Sequence, residues 1–189
     1  SPDLFNVLND NKSFKNSPYR KFGFRETSLF IHKKGIGVGF SNNNMWWGPG
    51  AHTSLTMTNN TSGFPYLMIG TISDKQYKNI GINLRYVFTQ LNEIEGRPYY
   101  TALIFLTKFL YEPIISIGFS RNYISGGLTI DRSFNMRDAM LLPFENLFID
   151  TKKNNYPADW EAHDYWDQTM SGFIVIDNRR SNLKLFIEI

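Results

Sequence analysis

Cysteine is absent from the 189-residue chain, so disulfides, thiolate metal sites and thiol catalysis are excluded. Long apolar runs are missing too. The longest, about Ala102 to Leu110, is broken by Thr107 and Lys108 and falls short of the roughly 18 apolar residues of a spanning helix, which argues against a helical membrane protein. Neither charge sign dominates: 20 basic and 17 acidic residues give a net charge of +3 without a long basic run, so nucleic acid is not an expected partner. There is no Gly-rich phosphate loop or nucleophile elbow, and His32 and His52 lack partners at a diagnostic spacing. No cofactor is expected. Ser1 stands where an initiator Met would, and no apolar signal segment follows it, which suggests a mature or excised segment.

What is present is interleaving. Hydrophobic residues make up 42% of the chain, yet the mean hydropathy is −0.32, so apolar and polar residues alternate rather than form blocks, as two-faced strands require. The length suits one domain. Residues 1–20, rich in Asn, Asp, Ser and Lys, read as an irregular lead-in to a β domain over 21–189. In Ile36 to Ser41, Ile36, Val38 and Phe40 oppose Gly37, Gly39 and Ser41; Leu55 and Met57 then oppose Ser54, Thr56 and Thr58 before an Asn59–Asn60 turn. Tyr66 to Ser73 reads as a further strand.

The clearest alternation is Lys78 to Leu91. Ile80, Ile82, Leu84, Tyr86 and Phe88 share one face, and Gly81, Asn83, Arg85, Val87 and Thr89 the other. A transmembrane strand needs roughly 9–11 tilted residues with lipid outside and a polar lumen inside; this segment meets both demands, with Arg85 inward. Tyr99 to Leu110 and Ile115 to Ser120 continue an up-and-down rhythm across a connection at Pro113. The rhythm fails from about Tyr123 to Trp166, read as a long loop insertion (about 124–166) with a short helix from Asn135 to Phe148. Strands return at Met170 to Asp177 and, after a turn at Asn178 to Ser181, at Leu183 to Ile189, where alternation is still running. An unpaired last strand is an open edge, and membrane strands require closure, so the pattern reads either as part of an antiparallel up-and-down transmembrane β-barrel that continues beyond it, or as no membrane wall at all. A soluble β-sandwich would show the same alternation.

The segment Ser41-Asn42-Asn43-Asn44-Met45-Trp46-Trp47-Gly48-Pro49-Gly50, followed by Ser54 to Asn60 and by Gly63-Phe64-Pro65, resembles the capsule-assembly Wzi family, which carries this Trp-Gly-Pro signature at a strand-to-loop element. Trp166-Asp167-Gln168 with Ser171, and Leu183 through Phe186 to Glu188, resemble its downstream strands. The likeness extends from about Phe24 to Ile189. It implies an outer-membrane barrel, eighteen-stranded in the family, that binds capsular or other surface polysaccharide at the cell surface without covalent chemistry. The chain is too short for the whole barrel and has no match to the family's periplasmic helices, so the likeness implies a fragment set among outer-membrane lipid.

Candidate sugar-binding residues are Trp46, Trp47, Asn44, Asn60, Arg85, Trp160 and Trp166. A Trp face covers the C–H surface of a pyranose, but Trp also forms membrane-interface girdles. Trp46 and Trp47 are adjacent, so on an extended chain only one can face a ligand while the other packs. Gly48, Pro49 and Gly50 give a sharply turning backbone under either use. Asn side chains match sugar hydroxyls and are also ordinary turn residues. Arg85 could hold an acidic sugar, although pairing with an internal carboxylate is the favoured expectation. The acidic and aromatic stretch Asp159 to Asp167 admits a carbohydrate-hydrolase alternative, but crowding in sequence does not set the carboxyl separation that such chemistry needs. His163 with Asp159 or Asp167 is a weak metal pattern. A non-binding scaffold within a larger surface complex is the third reading.

Overall fold

The computed structural model describes residues 26–49, 64–91, 97–126, 136–144 and 166–189. Among these are nine strands: β1 (Ser28–Lys33), β2 (Ile36–Ser41), β3 (Tyr66–Thr71), β4 (Lys75–Tyr77), β5 (Ile80–Gln90), β6 (Tyr99–Phe109), β7 (Ile114–Ser125), β8 (Trp166–Asn178) and β9 (Leu183–Glu188). One helix, α1 (Met136–Leu141), runs into a 3-10 turn, Leu142–Phe144. All strands join one antiparallel sheet in the order β1-β2-β3-β5-β6-β7-β8-β9, with β4 beside β5. Every strand thus pairs with a sequence neighbour, as an up-and-down meander requires. The sheet is open, with β1 and β9 as its edges.

Successive connections fall at opposite ends of the sheet. One end carries only tight links, 34–35, 78–79, 110–113 and 179–182; the other carries 42–65, 91–98 and 126–165. At the first tight turn both Lys34 and Gly35 have positive φ, the conformation whose twist matches flanking antiparallel strands.

Ladder partners share a face, so the register assigns each side chain to one of two surfaces. One surface is built from rows such as Ile82–Thr107–Ile117–Ile174–Ile187 and Ile80–Phe109–Ile115–Ile176–Leu185. It is apolar and uncovered: Leu84, Ile117 and Ile174, well inside the sheet, are 44, 40 and 47% exposed. The opposite surface carries Asn83, Ser120 and Asn122, which are 7, 3 and 5% exposed. These are called the outer and inner faces below. The inner face also holds an apolar cluster of Tyr66, Met68, Val87, Tyr100 and Ala102 under Trp47.

Small residues let large neighbours lie flat on the inner face. Phe30 stands opposite Gly39 and Phe173 opposite Gly118, and a Cβ on either glycine would fall within the partner's ring. The aromatic side chain covers a backbone that glycine leaves bare. At the long-loop end α1 and its 3-10 turn cover part of the outer face: the Tyr86 hydroxyl donates to Met140 O at 2.9 Å, and the Tyr86 and Phe144 rings stack at 5.5 Å.

Several sequence expectations need correction. Within 21–35 the sequence pattern singles out no particular strand; the structure places β1 there, paired along all of β2. Lys78 and Asn79 form a turn rather than the start of β5, because β4 folds back on β5. The β7 strand continues through Tyr123 to Ser125 and β8 begins at Trp166, since the two pair in continuous register; the insertion spans 126–165. The helix expected over Asn135 to Phe148 gives way after Leu141 to a 3-10 turn containing Pro143, whose ring and missing N–H oppose continuation; residues 145–148 lie outside the described residues, as does the strand expected at 54–58.

The tight packing of Phe173 on Gly118 yields a test. Gly118→Val should displace the ring and destabilise the protein by about 1–3 kcal/mol, whereas Gly172→Ala, whose added Cβ would meet nothing closer than 3.9 Å, should change stability by less than about 0.5 kcal/mol. Equilibrium unfolding of both variants checks the contrast.

Candidate binding site

The site grows from an irregularity where β3 passes into β4. Gly70 is opposite Arg85 and Lys75 opposite Ile82, so the four residues Thr71 to Asp74 face only Asn83 and Leu84. Two extra residues form a bulge. Gly70 has φ of 140° there, and a Cβ would run into Leu84 O; glycine is required by both conformation and space.

Side chains replace the ladder bonds that the bulge removes. Thr71 Oγ1 accepts from Leu84 N at 2.9 Å and donates to Leu84 O at 3.1 Å. Arg85 Nε donates to Thr71 O at 3.1 Å and Nη2 to Ile72 O at 3.4 Å. Asp74 accepts from Asn83 Nδ2 at 3.0 Å and from Lys108 Nζ at 2.6 Å. Buried backbone carbonyls without partners would cost about 1–3 kcal/mol each, which explains why a guanidinium is placed across them. The carboxylate pairing favoured for Arg85 from sequence is not the arrangement found: Arg85 bonds the Thr71 and Ile72 carbonyls, and Asp74, on which it acts only through space, is paired with Lys108.

Over this bulge lies the segment that follows β2. Asn42 N donates to Thr27 O at 3.0 Å, and Asn42 Oδ1 accepts from Thr27 N at 2.6 Å. Asn43 N donates to Ser41 Oγ at 3.1 Å, and its Nδ2 donates to Ser28 Oγ at 3.2 Å. These bonds anchor the chain to the start of β1 and direct the following tryptophans across the inner face. Trp47 is buried and stacks on Tyr100, with centroids 6.4 Å apart and planes 24° from parallel. Trp46 is half-buried. Trp47 is thus the more deeply packed of the pair, but the expected division is not complete, since both side chains reach one cavity.

Between this segment and the sheet is an open cavity of about 250 Å³, walled by Asn43, Asn44, Trp46, Trp47 and Arg85 among others. Four residues singled out from sequence, Asn44, Trp46, Trp47 and Arg85, are therefore brought together. Asn43, weighed with its neighbours as a sugar-hydroxyl partner or a turn residue, Phe30 and Tyr66 complete much of the wall; sequence reasoning did not assign Phe30 or Tyr66 to the site, although the inward phase of Tyr66 could have been read from its alternation with Leu67. Trp166 pairs with Ser125 on the outer face, away from the cavity. Gly48 and Pro49 follow Trp47 as a half-buried bend. Gly50, Asn60, Trp160 and the hydrolase segment up to residue 165 lie outside the described residues. Among the described residues no three His, Cys, Asp or Glu side chains gather as a metal site.

Comparison of the chain with protein-family models, curated proteins and solved structures finds no match. Its chemistry must be judged from the cavity itself. Two aromatic faces, amide groups and one cation around a small open space suit reversible recognition of a polar, ring-shaped ligand.

The two tryptophans should separate on mutation. Trp47→Ala removes a buried ring and should cost about 3–5 kcal/mol; Trp46→Ala should cost clearly less and leave the fold intact. Unfolding curves together with near-ultraviolet circular dichroism would check this.

Proposed function

We propose that this sheet forms part of the wall of an outer-membrane β-barrel whose interior binds capsular or other surface polysaccharide, without catalysis, at the surface of a Gram-negative-type bacterium. The observation that carries the reading is the inversion of the two faces. A sheet in water buries its apolar side and wets its polar one; here Leu84, Ile117 and Ile174 are uncovered while Asn83, Ser120 and Asn122 are buried. Lipid outside and a polar lumen inside would make that distribution favourable.

Other features support it. Strands β5 to β8 have 11, 11, 12 and 13 residues, sufficient for tilted crossing of a bilayer. Short turns at one end and long loops at the other are the usual division in bacterial outer-membrane barrels, with the long loops outside the cell. Exposed Tyr77 and Tyr111 stand near the tight-turn rim, where an aromatic girdle would meet the interface. The open edges of β1 and β9 would be satisfied by further strands, in keeping with the larger barrel that the Wzi-like segment implies.

The cavity supplies the binding half of the proposal. Trp46 offers a face for a sugar ring, Asn44 offers a donor and an acceptor, and Arg85 offers fixed donors. It lies on the inner face and extends from Tyr66, at the long-loop end of β3, to Ile72 beside the first tight turn, so a glycan would reach it through the lumen.

Two experiments test the two halves. The full-length parent should need detergent and show boiling-sensitive gel migration, and Ile117→Arg on the outer face should cost about 2–4 kcal/mol if it lies near the bilayer midplane; a detergent-free soluble monomer would refute the barrel. Titration with surface polysaccharide purified from the source organism should show saturable binding that folded Trp46→Ala weakens by about tenfold, the loss of a base-sized stacking contact being worth about 1–3 kcal/mol. Absence of binding by folded wild type would leave a scaffold role.

A further inference from the structure

Arg85 is the cation of the cavity, and its position is unusually well determined. Its Nε and Nη2 bond the bulge carbonyls of Thr71 and Ile72, which holds the guanidinium plane while engaging only part of its five N–H donors. Among the described residues no carboxylate lies within ion-pair distance of it; Asp74, the acidic group of the bulge, is engaged by Lys108 and Asn83. The cavity therefore contains a positioned positive charge with donors to spare.

Asn43, whose Nδ2 donates to Ser28 Oγ, lines the same cavity. The cavity thus calls for an anion at Arg85, beside the Trp46 ring. At about 250 Å³ it is below the roughly 300–1,000 Å³ of pockets for drug-sized ligands, room for a single sugar residue.

On the polysaccharide reading above, we propose that the cavity is selective for an acidic sugar unit, with the sugar carboxylate on Arg85 and the sugar ring against Trp46. The spare Nη donors form charge-assisted hydrogen bonds to the carboxylate oxygens. A neutral sugar in the same place leaves the spare guanidinium donors unpaired, so discrimination arises from desolvation as well as attraction.

The test is calorimetric titration of the detergent-solubilised full-length parent with a panel of glucuronate-, galacturonate- and mannuronate-containing oligosaccharides and with the same oligosaccharides after carboxyl reduction. Wild type should prefer at least one acidic form over its reduced counterpart by about tenfold or more, and the preference should fall with added salt. Arg85→Gln, shown to be folded by its boiling-sensitive migration, should bind both forms alike. If removal of the bulge clamp prevents folding, Arg85→Lys, which keeps a cation over the carbonyls but lacks the fork, should fold and show a smaller preference.

Equal binding of acidic and reduced forms by wild type would overturn the acidic-sugar assignment and leave the polysaccharide reading standing. An acidic preference retained in full by a folded Arg85 variant would overturn the placement of the carboxylate. No binding of either form would overturn both this inference and the polysaccharide reading beneath it.

Discussion

The continuous antiparallel register from β5 to β8 is the constraint on which the rest depends. Each ladder pair must share a face, so the phase of one strand fixes the phase of its neighbours, and a slip by one residue would move every side chain to the wrong surface. With Ile82 opposite Thr107, Thr107 opposite Ile117, and Ile117 opposite Ile174, the apolar residues accumulate on one side. Asn83, Ser120, Asn122 and Ser171 are consequently placed on the other. There they bond across strands, Ser120 to Ser171 at 2.9 Å and Tyr100 Oη to Asn122 Oδ1 at 3.2 Å. The face inversion that underlies the membrane proposal is a property of this register rather than of any single residue.

A regular sheet alone would give no cavity. The bulge between β3 and β4 interrupts the ladder beside Arg85, and the segment after β2 closes over it. The same guanidinium that satisfies the displaced carbonyls is thereby held at the cavity wall, so its structural and proposed recognition roles use different donors of one side chain. This arrangement limits the freedom of the Arg side chain before any ligand arrives, and a positioned donor loses less entropy on binding than a mobile one. Stability and recognition are coupled at this point.

The positions of β2, β5 and β9 were legible because apolar residues recur at every second place over six or more residues, and that of β6 because an apolar run lies between Pro98 and Pro113. β1 was not, since its alternation of Leu29 and Ile31 with Phe30 and His32 lacks a polar face, and only pairing with the glycine-rich side of β2 gives it a phase. The ends of β7 and β8 were hidden for a related reason: Arg121, Tyr123, Trp166 and Gln168 put polar and aromatic residues on what is elsewhere the apolar face. The outer face there is covered by α1, with Arg121 Nη1 donating to Pro143 O at 3.4 Å. Gly70 within a strand pattern was the available sign of the bulge, but its size depends on where β4 re-pairs.

By itself, the sequence determined the period of two, the composition of each face, the turn at Asn178 to Ser181 and the residue types available for recognition, because these follow from local chain geometry and side-chain chemistry. It did not determine which face would be buried, since alternation is the same for a soluble sheet and a membrane wall; the packing of Trp47 and the neighbouring loop decided that. Nor did it determine that Trp46 and Asn44 meet Arg85. That meeting depends on β2, β3 and β5 becoming neighbours through hydrogen-bonded register, and on a bulge whose displaced carbonyls fix the guanidinium beneath the tryptophans. Contacts between residues far apart in the chain are set by the pairing register of the whole sheet, which no local pattern encodes.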